Sequence, residues 1–197
     1  MSIGFAIDSK NCIGCKACTQ ACANEHLQRP GVYNRRVRRI EAGEDKGFAF
    51  VSMSCNHCDD PQCLKVCPVG AYSKMEDGSV IQNHDRCIGC QSCVFACPFH
   101  APVFDEVERA VYKCDSCIKR RNAGMLPRCV VTCPEFNIAF GEMGTIANIH
   151  SGAVSTHDVV ASHPNLYVKL DEDITVDVLK DIDGDHEVTI DRGGIDY

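Results

Sequence analysis

Sixteen of the 197 residues are cysteine, and their thiols dominate the chemistry this chain has to offer. Thiols pair into disulfides or bind a metal, and spacing decides between the two. The sixteen fall into four quartets with none left over. Cys12, Cys15, Cys18 and Cys22 run C-x2-C-x2-C-x3-C. Cys55, Cys58, Cys63 and Cys67 run C-x2-C-x4-C-x3-C-P. Cys87, Cys90, Cys93 and Cys97 repeat the first spacing with a proline added, and Cys114, Cys117, Cys129 and Cys133 run C-x2-C-x11-C-x3-C-P.

Four cysteines within eleven residues lack the Cα separations that disulfides need. Zinc favours two C-x2-C pairs divided by a longer span, which only the fourth quartet resembles. The first and third spacings are those of bacterial-type iron–sulfur runs, in which the fourth cysteine ligates the other cluster of a pair. The geometry explains the sharing. Three cysteines in one tight loop wrap three corners of a cube, and the C-x3-C step is a helical i, i+4 pair a turn apart on one face. The third thiolate then binds one cluster while the fourth reaches the next. Pro68, Pro98 and Pro134 turn the chain away after the fourth cysteine, whereas Cys22 is followed by Ala23. The expected cofactors are four [4Fe–4S] clusters held by all sixteen cysteines.

The elements that position these loops repeat. Residues 7–15, ending Cys12-Ile13-Gly14-Cys15, parallel residues 82–90, ending Cys87-Ile88-Gly89-Cys90. Each copy predicts a short strand, a polar turn and a cysteine loop, with Gly14 and Gly89 at positive φ. Val69–Tyr72, Phe99–Phe104 and Phe136–Phe140 each read as a turn into a strand. Asp77-Gly78 reads as the hairpin turn between Ala71–Lys74 and Ser79–Ile81. The pattern predicts an α+β fold with small antiparallel sheets. Residues 23–50 form an insertion whose Arg35, Arg36, Arg38 and Arg39 suit either a solvated face or a patch for docking or cluster tuning; Lys119, Arg120 and Arg121 invite the same two readings. His57 and His100 suit hydrogen bonds to cluster sulfur or plain structural roles. In the cysteine-free stretch 145–197, Leu166–Leu170 and Ile174–Val178 alternate like strands, and the stretch wraps a partner or closes the fold. Asp181, Asp183 and Asp185 fall short of a calcium loop, because His186 stands where glycine is needed and Arg192 where glutamate is needed.

The four quartets in this order, with Phe5-Ala6-Ile7-Asp8, Cys12-Ile13-Gly14-Cys15-Lys16 and Ser54-Cys55-Asn56-His57-Cys58-Asp59-Asp60-Pro61, resemble the iron–sulfur (beta) subunits of the dimethyl sulfoxide reductase family of molybdenum enzymes. The resemblance covers residues 3 to about 143. It implies two ferredoxin-like dicluster modules with approximate two-fold symmetry: 1–50 with 105–144, and 51–104, plus the insertion and the 145–197 tail. It implies four ligand sets: Cys12, Cys15, Cys18, Cys133; Cys114, Cys117, Cys129, Cys22; Cys55, Cys58, Cys63, Cys97; and Cys87, Cys90, Cys93, Cys67. Some family members lack a cysteine of the third quartet and hold [3Fe–4S] there; this quartet is complete. The implied partners are a catalytic subunit with a bis-pterin molybdenum or tungsten cofactor and a quinol-linked membrane anchor. The other readings are a free-standing polyferredoxin and the beta subunit of a soluble two-subunit reductase such as a reductive dehydroxylase.

Composition narrows the rest. A net charge of −7 argues against a nucleic-acid partner. No apolar run is long enough to span a membrane. Met1–Lys10 lacks the pattern of an export signal, so the expected location is peripheral to the membrane beside a signal-bearing partner, or the cytoplasm. No dinucleotide-binding, Walker or zinc-protease motif is present. With no tryptophan and 7% aromatics the apolar core is thin, and bound clusters would complete it.

Overall fold

The computed structural model describes residues 2–41 and 48–170. The strand expected at Ile174–Val178 and the acidic stretch at Asp181–Asp185 lie outside them. In chain order the elements are β1 (Ile3–Asp8), α1 (Ala17–Glu25), β2 (Arg36–Glu41), β3 (Phe48–Met53), α2 (Gln62–Lys65), β4 (Tyr72–Lys74), β5 (Val80–Gln82), α3 (Ser92–Ala96), β6 (Val103–Asp105), β7 (Ala110–Tyr112), α4 (Ile118–Asn122), α5 (Arg128–Thr132), β8 (Ile138–Glu142), α6 (Met143–Ile146), β9 (Val154–Ser155) and β10 (Leu166–Lys169).

Three sheets are two-stranded antiparallel hairpins: β2 with β3, β4 with β5, and β6 with β7. The hairpin read at Asp77-Gly78 is there, with Gly78 at φ 83° and the pairing Tyr72↔Gln82 to Lys74↔Val80. The fourth sheet departs from the antiparallel expectation. Its order is β8-β1-β10-β9, with β1 antiparallel to β8 and parallel to β10. A tight turn can only produce an antiparallel neighbour, whereas the long path from β8 to β10 permits a parallel one. Flanked on both edges, β1 is buried along its whole length, which suits its apolar Ile3-Gly4-Phe5-Ala6-Ile7 run. Up to Lys169, therefore, the cysteine-free stretch closes the main sheet.

The core mixes side chains with thiols. Phe5, Ile7, Val51, Met53, Ile138, Leu166 and Val168 pack with Cys18, Cys55, Cys114 and Cys129 in one cluster. Ala71, Tyr72, Val80 and Val111 pack with Cys63 and Cys93 in a second. Among the described residues no helix is long and apolar enough to cross a membrane.

Candidate metal centres

Four short helices each carry the first cysteine of a C-x3-C pair, and α1, α3 and α5 end as their sequences dictate; α2 stops at Lys65, ahead of Cys67. Proline disfavours the helical region for the residue before it. Cys97 and Cys133, each preceding a proline, sit at φ −82°, ψ 116° and φ −66°, ψ 116°, closing α3 and α5. Cys22 has no proline after it, and α1 runs on to Glu25. The two thiols of each pair belong to different groups. Cys12, Cys15, Cys18 and Cys133 line the first cavity. Cys55, Cys58, Cys63 and Cys97 line another, here called the third. Cys67, Cys87, Cys90 and Cys93 line the fourth. Cys22, Cys114, Cys117 and Cys129 are buried and gather as a second group, the last three each acting on the Cys22 thiol.

Shared elements place these groups in a series. Helices α1 and α5 pack together and connect the first group to the second; α2 and α3 pack together and connect the third to the fourth. Cys114 and Cys55 are electrostatic neighbours and join the second to the third. At the two ends lie the exposed thiols Cys15 and Cys90.

Backbone amides point at the sulfurs in a recurring arrangement. Three residues after the fourth cysteine the chain turns through positive φ: Gly70 at 56°, His100 at 43°, Phe136 at 55°. The following N–H then donates to the cysteine behind it: Ala71 to Cys67 Sγ at 3.3 Å, Ala101 to Cys97 Sγ at 3.5 Å, Asn137 to Cys133 Sγ at 3.3 Å. Ser116 N–H donates to Cys114 Sγ at 3.3 Å and Val111 N–H to Cys87 Sγ at 3.5 Å. Such donors stabilise thiolate over thiol. Gly14 and Gly89 both take φ 69°, as the repeat predicts, and Lys16 and Gln91 both enter their helices in the left-handed region.

The donor set suits iron–sulfur clusters. Thiolates are soft ligands, and four converge in each group. Burial foremost pushes Cys58 and Cys114 up to about 12, with neighbouring thiols adding and the Arg35 guanidinium opposing at Cys114; burial foremost pushes Cys97 and Cys117 up to about 11. Such crowded, buried sulfurs become thiolates against positive charge, and a bound metal would supply the largest share of it.

Charged and polar groups complete the setting, and sequence reasoning found only some of them. Arg35 is 1% exposed, not on a solvated face. Its Nη1 donates to Ser52 O at 3.1 Å and Ser52 Oγ at 3.0 Å, its Nη2 to Ser54 Oγ at 2.8 Å, and its guanidinium lies 4.6 Å over the Phe5 ring. Arg39 is exposed, while Arg36 and Arg38 are half-buried. Arg120 pairs with Glu25 and Arg121 with Asp77, both helping to anchor α4. Lys113, buried directly before Cys114, and His26, whose Nε2 lies 3.4 Å from Cys117 Sγ, had no local signature beyond adjacency to a quartet or its helix. Burial works against the Lys113 ammonium, but the thiols of Cys55, Cys114 and Cys63 outweigh it and hold its pKa above the ordinary value. His57 is fully buried and takes a structural part: its Nδ1 accepts from Val80 N–H at 3.0 Å, and burial, with Lys113 and Arg121, holds it neutral. His100 contributes backbone geometry, its carbonyl accepting from Arg36.

Comparison with known proteins agrees with this architecture. Residues 11–71 and 47–143 each match a model described as a 4Fe–4S dicluster domain. The B subunit of anaerobic dimethyl sulfoxide reductase from Escherichia coli is 40% identical over 179 residues, covering 84% of this chain and 87% of that one. The corresponding B subunit from Haemophilus influenzae is 37% identical over 191 residues, covering 86% and 93%. The thiosulfate reductase electron transfer subunit of Salmonella typhi is 40% identical over 142 residues, covering 69% and 73%. With thiols in four groups, two dicluster domains and these relatives, the protein belongs to the family of iron–sulfur electron-transfer subunits that includes the B subunits of anaerobic dimethyl sulfoxide reductase, and it carries four [4Fe–4S] clusters.

Proposed function

We propose that the four thiol groups are the ligand sets of the four clusters and that the chain relays electrons along them to or from a catalytic subunit. The single observation that carries this reading is the helical pairing of cysteines: Cys18 with Cys22, Cys63 with Cys67, Cys93 with Cys97 and Cys129 with Cys133 each bridge two adjacent groups. Each bound cluster supplies reversible one-electron chemistry. The chain's own residues do the rest. Short helices hold neighbouring sites a helical turn apart, apolar side chains keep water from the inner thiols, and the N–H···S donors favour the added charge. Cys15 and Cys90, exposed at opposite ends of the series, mark where electrons arrive and leave.

The finer architecture follows the same reading. Residues 1–50 with 105–144 form one ferredoxin-like module around the first and second groups, and residues 51–104 form the other around the third and fourth. The matching Gly14 and Gly89 loops support an approximate two-fold relation between them. The partner is a catalytic subunit with a bis-pterin molybdenum or tungsten cofactor, with a quinol-linked membrane anchor as the other redox partner. The complex sits peripheral to the cytoplasmic membrane, exported through a signal on the catalytic subunit. The family resemblance supports these assignments.

The test is elemental analysis of the anaerobically purified native complex. About sixteen irons per copy of this chain, with molybdenum or tungsten in a larger co-purifying subunit, is the expected result. A lone chain with iron and neither metal would overturn the partner assignment in favour of a free-standing polyferredoxin. Cys18→Ser and Cys133→Ser should each remove the same EPR signal, and Cys22→Ser a different one. Loss of one signal in both Cys18→Ser and Cys22→Ser, with Cys133→Ser sparing it, would sink the ligand sets.

A further inference from the structure

Among the described residues two cations, Arg35 and Lys113, lie buried, and neither forms an ion pair with a carboxylate. Each is instead placed between two neighbouring thiol groups. Arg35 reaches the first group through Ser52, whose Oγ lies 3.0 Å from Arg35 Nη1 and 3.3 Å from Cys18 Sγ. The same guanidinium is an electrostatic neighbour of Cys129, Cys114 and Cys22 in the second group. Lys113 spends all three ammonium donors between the second and third groups: on Cys55 Sγ at 3.5 Å, on the carbonyl of Cys114 at 2.8 Å, and on the carbonyl of Val80. The remaining junction, between the third and fourth groups, holds the neutral phenol of buried Tyr72, which packs with Cys63 and Cys93.

A buried charge without a counter-charge is strongly unfavourable. Neither position is needed for surface solubility, and uncharged side chains could satisfy the serine and carbonyl partners. Among the described residues, the groups of negative charge acting on both cations are the thiols, and with them the clusters they would hold. Resting on the ligand sets proposed above, we propose that Arg35 and Lys113 are the relay's built-in counter-charges, each raising the reduction potentials of the two clusters it separates. Reduction adds one electron to a cluster and makes its site one charge more negative, with no bond made or broken. A fixed cation next to the site therefore stabilises the reduced form over the oxidised one, more strongly in a dry interior than at a surface. The cluster of the second group, flanked by both cations, feels both, while that of the fourth group feels neither.

The arrangement predicts a pattern rather than a mere change. The experiment is an EPR-monitored redox titration of the full chain with its clusters, in the wild type, Lys113→Met and Arg35→Gln, with iron quantified in each. Lys113→Met should move two of the four potentials to more negative values and leave two in place. Arg35→Gln should also move two, and the two pairs should have one cluster in common. Unmoved potentials, a uniform shift of all four, or two pairs that coincide or do not overlap would each overturn the proposal. If either variant retains less iron, the charge-keeping Lys113→Arg and Arg35→Lys decide. Full iron with near-parental potentials supports a role for charge, and iron loss in these as well overturns it. A wild-type chain holding fewer than four clusters would instead overturn the ligand sets themselves.

Discussion

A methyl group added at Gly89 would lie 2.2 Å from the carbonyl oxygen of Arg109, at a backbone φ of +69° that L-residues resist. The obstacle is backbone, so no side chain can swing aside. Gly89→Ala should destabilise the protein by about 3 kcal/mol, lowering the temperature at which the visible cluster absorbance is lost by roughly 6–12 °C. Gly124 supplies the control. Its φ is similar, at +73°, but nothing lies within 4 Å of the added carbon, so Gly124→Ala should cost only about 1 kcal/mol. Equal losses in the two variants would show that the close approach at Gly89 does not matter. At the same scale, proline after a cysteine acts by simple sterics, setting the ψ that ends a helix and turns the chain toward the next site.

Among the elements, the turn after each C-P pair has a residue at positive φ whose identity varies: Gly70, His100 and Phe136. Phe136 is 81% exposed, so its ring contributes little packing to the isolated chain. Phe136→Gly should relieve the left-handed strain, and thermal cluster loss should occur at a temperature higher by an amount equivalent to about 1 kcal/mol. A decrease would mean that the ring stabilises the turn by contacts that outweigh the strain. Strand β10 makes the opposite case. Leu166 is 1% exposed and pairs in register with Phe5. Leu166→Ala should cost about 2–4 kcal/mol and speed iron release on heating, since β1 leads directly into the first cysteine loop. Iron release at the wild-type rate would show that β10 is dispensable to the sites.

At the scale of the molecule, the described residues form two small cores in which thiols take the place of apolar side chains. In a chain with no tryptophan, so little apolar packing cannot by itself offset the entropy of ordering the loops. Anaerobic removal of iron by a chelator should abolish most of the far-ultraviolet CD signal along with the visible absorbance. Retention of native CD in the iron-free chain would show that the polypeptide core suffices. The gradient of exposure, from buried Cys22, Cys114, Cys117 and Cys129 to exposed Cys15 and Cys90, likewise belongs to the assembled molecule.

Local rules explain what could be read in advance. The number and kind of clusters follow from quartets of a soft ligand at fixed spacing, the loop glycines from the repeat around Cys12 and Cys87, and the hairpin from Asp77-Gly78, because each depends on neighbours within a few residues. The parallel partner of β1 was not legible, since parallel pairing depends on where a long connection returns and not on any pattern inside β10. Lys113, His26 and buried Arg35 were equally hidden. Arg35 stands in a run with Arg36, Arg38 and Arg39 and differs from them only by where packing sends its side chain. Sequence by itself determined the four thiol quartets, their i, i+4 spacing and the redox chemistry, because these follow from residue type and short-range geometry. The family resemblance implied which distant thiols meet; tertiary structure alone decided the parallel partner of β1 and which cations are buried between the thiol groups, because long-range packing and the low dielectric of the interior exist only once the chain has closed.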